Sequence, residues 1–250
     1  MAVRPDTLIL SAGGLGSLVA LSMDRAERER ETSEGGKRKA KLPGLVYVHD
    51  GREAGRPRLE HARQMADFFG IPAVLELAIP HLHGPAAGLA PLRGADGASN
   101  SPIAAPQVLL AALDLAQRLE ATRLVWPVHC GGDAGRLALA MEQVALVQHL
   151  REACRSSETY AQDSQRDIEL DTPLLELSTP QMLDLGQRVD ASWGLAWSCL
   201  LPGAKPCGAC AGCRQRRRDF DAAGLVDPLE PNARADRKRD RGGSRGASVA

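Results

Sequence analysis

Four of the six cysteines in this chain lie within residues 199–213, in the stretch CLLPGAKPCGACAGC. Their spacing is C-x7-C-x2-C-x2-C, and two successive C-x2-C steps let thiolates converge from a tight turn. Four sulfur ligands with no open position are typical of a structural Zn²⁺ site, although an iron–sulfur cluster also takes four cysteines. The predicted metal ligands are Cys199, Cys207, Cys210 and Cys213. Folding of this segment should therefore depend on the metal.

Upstream of the cysteines, short apolar runs alternate with amphipathic stretches. The runs predict strands at residues 7–11, 45–49, 73–79 and 123–128, with a short fifth strand inside 168–175. Helical spacing predicts helices that begin near Gly14 and at a Thr179 cap, and others at 58–70, 105–121 and 133–153. Polar or glycine-rich loops are predicted at 31–43 and 80–102. This alternation indicates an α/β fold, a doubly wound and mostly parallel sheet with helices on both faces.

The cysteine stretch divides the chain into a larger part and an appendage. We expect an α/β domain at 1–195, a four-cysteine zinc module at 196–228 and a disordered, charged tail at 229–250. Cys130 and Cys154 lie outside the cluster and are interpreted as ordinary thiols.

Composition excludes several function classes. Lysine plus arginine equal aspartate plus glutamate at 31 each, and aromatic residues are only 3%, so nucleic acid is an unlikely partner. The arginines in RQRRRD, residues 214–219, are interpreted as a solvated helix face. No apolar run reaches the roughly 18 residues of a membrane span, and no signal peptide is visible, so we expect a cytoplasmic protein without membrane contact. A homo-oligomer is compatible with the sequence.

The first strand runs into a glycine-rich turn in LILSAGGLGS, residues 8–17. Three glycines allow backbone N–H groups to face an anion, and the following helix adds partial positive charge at its N-terminus. The candidate nucleotide-binding residues are Ser11, Gly13, Gly14, Gly16 and Ser17. The alternative is a tight strand-to-helix turn that binds nothing. The loop holds no carboxylate, which is the anchor that Mg²⁺ prefers.

Residues 196–228 resemble the C-terminal zinc module of the 7-cyano-7-deazaguanine synthases, a family of PP-loop ATP pyrophosphatases. The resemblance is carried by a Trp-Ser-Cys, a Pro-Cys-Gly-x-Cys-x-x-Cys, an arginine-bearing helix and an Ala-Gly near Asp-Pro. The matching residues are Trp197, Ser198, Cys199, Pro206, Cys207, Gly208, Cys210, Cys213, Arg214, Phe220, Ala223, Gly224, Asp227 and Pro228. The resemblance extends more faintly over residues 6–228.

The resemblance implies an adenine nucleotide alpha-hydrolase-like fold and a ligase that converts 7-carboxy-7-deazaguanine and ammonia to the nitrile. ATP with Mg²⁺ would activate the carboxylate, zinc would be structural, and the product would feed queuosine and deazapurine modification of tRNA. The family's phosphate loop reads Ser-Gly-Gly-x-Asp-Ser, whereas this chain has Ala12 at the first serine and Gly16 at the aspartate. No catalytic residue is assigned by the sequence.

The departures from the family pattern leave a second hypothesis open, a non-catalytic zinc-binding scaffold that has lost the Mg²⁺–ATP site. A third, a nucleic-acid-binding zinc protein, depends on residues 214–219 and the arginine-rich tail. After the fourth strand, His129, Cys130, Asp133 and Arg136 would lie where ligands enter such sheets. We interpret Asp133 as a helix cap and His129 as an ordinary loop histidine.

Overall fold

The computed structural model describes residues 4–34, 41–49, 55–79, 104–155 and 167–230. The predicted loop at 80–102 and nearly all of the predicted tail lie outside these residues. The strands are β1 (Thr7–Ser11), β2 (Gly44–His49), β3 (Val74–Ala78), β4 (Arg123–Val125) and β5 (Glu169–Asp171). The helices are α1 (Leu15–Ser33), α2 (Arg56–Phe68), α3 (Ala104–Leu119), α4 (Ala134–Arg155), α5 (Thr179–Arg188) and α6 (Ala211–Ala222), with a 3₁₀ turn at Trp193–Leu195.

The five strands form one parallel sheet in the order β3-β2-β1-β4-β5. The chain moves outward from β1 through β2 to β3 and then returns to the other side of β1. Strand order therefore reverses between β1 and β4, and a crevice opens at the carboxyl ends of these two strands. This topology confirms the predicted doubly wound, parallel α/β fold.

Alternate residues of each strand enter two different cores, because side chains on a strand point to opposite faces. One face carries Leu8, Leu10 and Leu124 against α3 and α4. The other carries Ile9 and Leu45 against α1, α2, α5 and Phe220 of α6. The central strands are buried on both faces, which explains their continuous apolar sequence.

The predicted elements are all present, most bounds shift by one or two residues, and three of the differences have a visible structural reason. β4 stops at Val125 rather than continuing to Val128, because Pro127 has no N–H for the sheet ladder. α1 extends to Ser33, three residues into the predicted loop, and the Thr32 and Ser33 hydroxyls bond back to helix carbonyls. Ser178, not Thr179, caps α5, since its hydroxyl accepts from the Gln181 N–H while the Gln181 side chain accepts from the Ser178 N–H.

Among the described helices, none combines the length and apolar character that a bilayer crossing requires.

Candidate functional site

The glycine loop lies at the carboxyl end of β1, at the point where strand order reverses. Gly13 has a positive φ of 73°, and a Cβ there would lie 2.5 Å from the carbonyl oxygen of Arg58. Only glycine satisfies both conditions. Gly14 is the N-cap of α1 and no side chain caps this helix end. The N-terminus of α1 therefore presents backbone N–H groups to the crevice.

The two loop serines bond mainly to the loop itself. The Gly13 N–H donates to Ser11 Oγ at 3.0 Å, and Ser17 Oγ donates to the Gly14 carbonyl at 2.9 Å. The two hydroxyl oxygens lie 3.0 Å apart, and both serines are buried. These bonds hold the turn in its curled form, so Ser11 acts on its shape rather than as a free donor.

Gly16 lies against the segment that follows β4. A Cβ at this position would come within 2.2 Å of the Pro127 carbonyl oxygen, well inside van der Waals contact. The aspartate of the family pattern cannot be placed at Gly16 unless Pro127 moves. By contrast, a Cβ at Gly14 would have no neighbouring atom within 4 Å.

The four predicted metal ligands converge. Their sulfur atoms all lie within 4.8 Å of one another, and the measured Cys207–Cys213 and Cys199–Cys210 Sγ separations are both 3.9 Å. A tetrahedron with bonds of ~2.3 Å to sulfur has edges of about 3.8 Å. The four sulfurs thus have the spacing that one metal ion requires, and this arrangement could hold a metal.

Backbone N–H groups point at the sulfurs of the cluster. Leu200, Cys207 and Cys210 donate to the sulfurs of Cys210, Cys199 and Cys207 over 3.3–3.4 Å. The N–H groups of Cys210 and Ala209 lower the pKa of Cys207 to about 6. Burial instead raises the pKa of Cys213. A deprotonated sulfur is the form that ligates a metal.

The cysteine module is docked directly on the glycine loop. The Trp197 N–H donates to the Gly13 carbonyl at 2.7 Å, and Arg58 of α2 donates to the Cys199 carbonyl at 3.4 Å. His61, also on α2, stacks on the Trp197 ring at 4.7 Å and places Nδ1 2.9 Å from the Leu195 carbonyl. Burial lowers the pKa of His61, so its ring is neutral near pH 7.

A buried ion pair anchors α6 within the module, so the interpretation of the arginines in residues 214–219 as a solvated helix face is wrong for Arg216. Arg216 donates from Nε and Nη2 to the two carboxylate oxygens of Asp227, at 2.7 and 2.9 Å. The same guanidinium also donates to the carbonyls of Ala196 and Trp193, at 2.7 and 2.9 Å. Arg216 and Asp227 are each about 4% exposed, and the four bonds satisfy both charges.

A cavity of about 240 Å³ lies between the glycine loop and the module. Its walls come from α1, α6 and the segments after β1 and β4. The lining residues include Gly14, Gly16, Ser17, Arg58, His129, Trp197, Gln215 and Asp219. A larger polar cleft opens at the opposite ends of the strands, beside Thr7 and Arg123.

Two titratable side chains in this cavity have shifted pKa values. Burial, with a smaller contribution from Arg136, lowers the pKa of His129 to about 4, so its imidazole is neutral at pH 7. Burial raises the pKa of Asp219 to about 6, against opposing hydrogen-bonding and charge effects from Gln215, Arg218 and Arg216. His129, expected to be an ordinary loop residue, instead faces the cavity.

The other sequence candidates do not enter the cavity. Asp133 accepts from the Arg136 N–H at 3.0 Å, which confirms its role as a helix cap. Cys130 is buried, and Cys154 is exposed on α4. Arg58 and Asp219, which line the cavity, and His61, which stacks on Trp197, were missed, since single polar residues on amphipathic helices carry no signal of such contacts.

Residues 108–224 match the family model described as Queuosine biosynthesis protein QueC. This part of the chain is similar to the QueC family. The matched region contains His129, the four clustered cysteines and Asp219, but not the glycine loop.

Several curated relatives are 7-cyano-7-deazaguanine synthases. The chain is 38% identical over 69 residues to the one from Chlorobaculum parvum, which is 28% of this chain and 30% of that protein. The one from Chromobacterium violaceum is 42% identical over 71 residues, again 28% of this chain and 30% of the relative. The chain therefore matches only about 30% of the length of these relatives.

Among solved structures, the U34-tRNA thiolase NcsA from Methanococcus maripaludis with its [4Fe-4S] cluster aligns with a TM-score of 0.43 and 13% identity. The alignment covers 100% of this chain and 76% of that one. Because this score is low, the fold assignment depends on the strand order and parallel connectivity.

Proposed function

We propose that this protein is an ATP-dependent ligase of the 7-cyano-7-deazaguanine synthase type, with a structural zinc ion in its four-cysteine site. It would convert 7-carboxy-7-deazaguanine and ammonia to the nitrile. The observation that carries the proposal is the cavity of about 240 Å³ where the glycine loop meets the QueC-family cysteine module. A nucleotide phosphate at the loop would thereby be placed against residues of the matched segment.

The chemistry requires two activations of one substrate. The carboxylate attacks the α-phosphorus of ATP and releases pyrophosphate, and ammonia then displaces AMP to give the amide. A second adenylation, at the amide oxygen, releases pyrophosphate and one N–H proton, and loss of AMP and the second N–H proton then gives the nitrile. Each activation consumes one ATP, so charge on the departing pyrophosphate has to be stabilised twice.

Several described residues have the properties that this reaction needs. The N-terminus of α1 offers N–H groups and partial positive charge to a phosphate. Arg58 lines the same cavity and adds a cationic donor, while the Ser17 hydroxyl donates to the Gly14 carbonyl and holds the loop in shape. His129 is neutral at pH 7, so one ring nitrogen accepts and the other donates a hydrogen bond to a polar substrate.

The spacing of the sulfurs supports zinc rather than an iron–sulfur cluster. Two Sγ separations are 3.9 Å and all lie within 4.8 Å, close to the tetrahedron around one ion, whereas a cluster of several irons holds its cysteines farther apart. The ion would supply no open coordination position and would take no part in the chemistry. Its role would be to hold the Trp197 segment against Gly13.

The test is to incubate the purified protein with 7-carboxy-7-deazaguanine, ammonium and Mg²⁺–ATP, and to follow the products by mass spectrometry. The proposal predicts the nitrile together with AMP and pyrophosphate, with two AMP per nitrile. AMP formation should require the carboxylate substrate. Absence of both amide and nitrile, in protein that retains its zinc, would contradict the proposal.

A non-catalytic scaffold is the second candidate, and the loop itself favours it. Ser11 and Ser17 bond within the loop, and Gly16 has no space for the family's aspartate. On this alternative the cavity would bind a small molecule or nothing, and ATP would remain unchanged in the same incubation.

A further inference from the structure

The cavity beside the glycine loop has hydrogen-bond donors on one wall and a carboxylate on the other. Gly14, Gly16 and Ser17 place the N-terminus of α1 on the first wall. Asp219 and Gln215, both on α6, form part of the second. A ligand that fits here must offer acceptors to the first wall and a positive centre to the second.

Trp197 gives an independent indication of a ligand. Its side chain is only 4% exposed and lines the cavity, and its indole Nε1 has no hydrogen-bond acceptor among the described residues. A buried N–H donor without an acceptor costs about 1–3 kcal/mol. A ligand oxygen that reaches this N–H would remove that cost.

Among the described residues that line the cavity, Asp219 is the one acidic side chain. Its carboxylate accepts one hydrogen bond, from Gln215 Nε2 at 2.7 Å, and is half-buried. It forms no salt bridge with any other described residue. Burial opposes its charge, since the pKa is raised to about 6, yet the group is mostly ionised at pH 7. A cation at this oxygen would compensate that charge.

We propose that Asp219 anchors the divalent cation that accompanies the phosphates of a nucleotide bound at the glycine loop. The loop cannot carry this carboxylate, because Pro127 occupies the space beside Gly16. α6 supplies it from the opposite wall. Mg²⁺ in nucleotide sites is held by one or two carboxylates together with phosphate oxygens, which is the donor set that Asp219 and a bound nucleotide provide. This inference rests on the proposed nucleotide chemistry.

The experiment is a calorimetric titration with ATP, in Mg²⁺ and in EDTA, on the wild type, Asp219→Asn and Asp221→Asn. Asp221 lies on the same helix but is exposed and outside the cavity, so it is the matched control. We expect Mg²⁺ to tighten ATP binding by about tenfold in the wild type and in Asp221→Asn. In Asp219→Asn the ratio of the ATP affinity in Mg²⁺ to the ATP affinity in EDTA should fall to about one. Binding in EDTA should be unchanged or tighter, because a negative charge has been removed.

A merely structural role for Asp219 would weaken binding in both buffers together. The asparagine keeps the acceptor for Gln215, and its melting temperature checks the fold. A preserved Mg²⁺ ratio in Asp219→Asn, or a ratio of one in the wild type, would overturn the assignment of Asp219 while ATP binding itself still supports the proposed function. Absence of ATP binding under every condition would overturn both.

Discussion

At the scale of single residues, the three glycines of the loop have different structural roles. Gly13 needs its positive φ and its contact with Arg58, whereas Gly16 needs its lack of a side chain. Gly14 has open space around it. In the sequence the three glycines look equivalent. The structure shows that Gly13 is required by its backbone conformation, that Gly16 is required by a close backbone contact, and that Gly14 has room for a side chain.

This difference predicts opposite outcomes for two alanine substitutions. Gly16→Ala should destabilise the protein by about 1–3 kcal/mol, because the new methyl group overlaps the Pro127 carbonyl. Gly14→Ala, the matched control, should cost less than about 1 kcal/mol. Urea unfolding of both variants measures the difference. Equal losses would show that Pro127 moves away at no cost.

His129 gives a prediction for the pH dependence of stability. Its pKa is lowered from 6.5 to about 4, so the unfolded chain takes up this proton at a higher pH than the folded chain. The stability that this residue contributes is complete above pH 6.5 and is lost as the pH falls toward 4, by up to about 3 kcal/mol. Asp219 has a raised pKa and shifts stability in the opposite direction over a similar range.

The comparison of the wild type with His129→Gln isolates this contribution, because Asp219 is present in both proteins. As the pH falls from 7 to 4, the variant should lose less unfolding free energy than the wild type. The measurement is chemical denaturation at several pH values. Parallel curves would mean that the histidine is solvated or charged in the folded state.

At the scale of elements, α6 depends on Arg216, whose guanidinium joins the helix to Asp227 and to two carbonyls. Arg216→Lys removes the two parallel hydrogen bonds to the Asp227 carboxylate and leaves this buried carboxylate with a weaker hydrogen-bond donor. We expect a loss of about 3 kcal/mol in stability. Arg218→Lys on the exposed face should change stability by less than about 0.5 kcal/mol. Thermal unfolding of the two variants measures the contrast, and equal melting temperatures would contradict it.

The strands and helices could be predicted because their sequences carry a local period. The run at residues 8–10 is apolar because β1 is buried on both faces, and the clustered cysteines follow a fixed spacing. The cavity could not be predicted in the same way. Arg58 lies on α2 and Asp219 on α6, and their approach to the same cavity depends on how the helices pack. The early end of β4 likewise depends on Pro127.

At the scale of the whole molecule, the cysteine module closes one side of the crevice. The Trp197 backbone bonds to Gly13, and the Trp197 ring stacks on His61 of α2. The module buries few large apolar side chains of its own, chiefly Trp197 and Phe220 together with its cysteines. Its order should therefore depend on the metal, and the shape of the cavity should depend on the module.

Substitution of one ligand tests this dependence. Cys207→Ser should lower the bound zinc, measured by elemental analysis, and lower the melting temperature at the same time. Cys154→Ser is the control, because that cysteine is exposed on α4 and lies outside the cluster. Full zinc retention in Cys207→Ser would contradict the assignment of this residue as a ligand.

The central claim is that the cavity between the glycine loop and the cysteine module is a nucleotide site, and hydrogen–deuterium exchange with and without Mg²⁺–ATP tests it most directly. We predict slower exchange in peptides that contain residues 12–18 and 196–200, and no comparable change in peptides from the outer face of α4. Unchanged exchange in both loop and module at saturating ATP would contradict the claim.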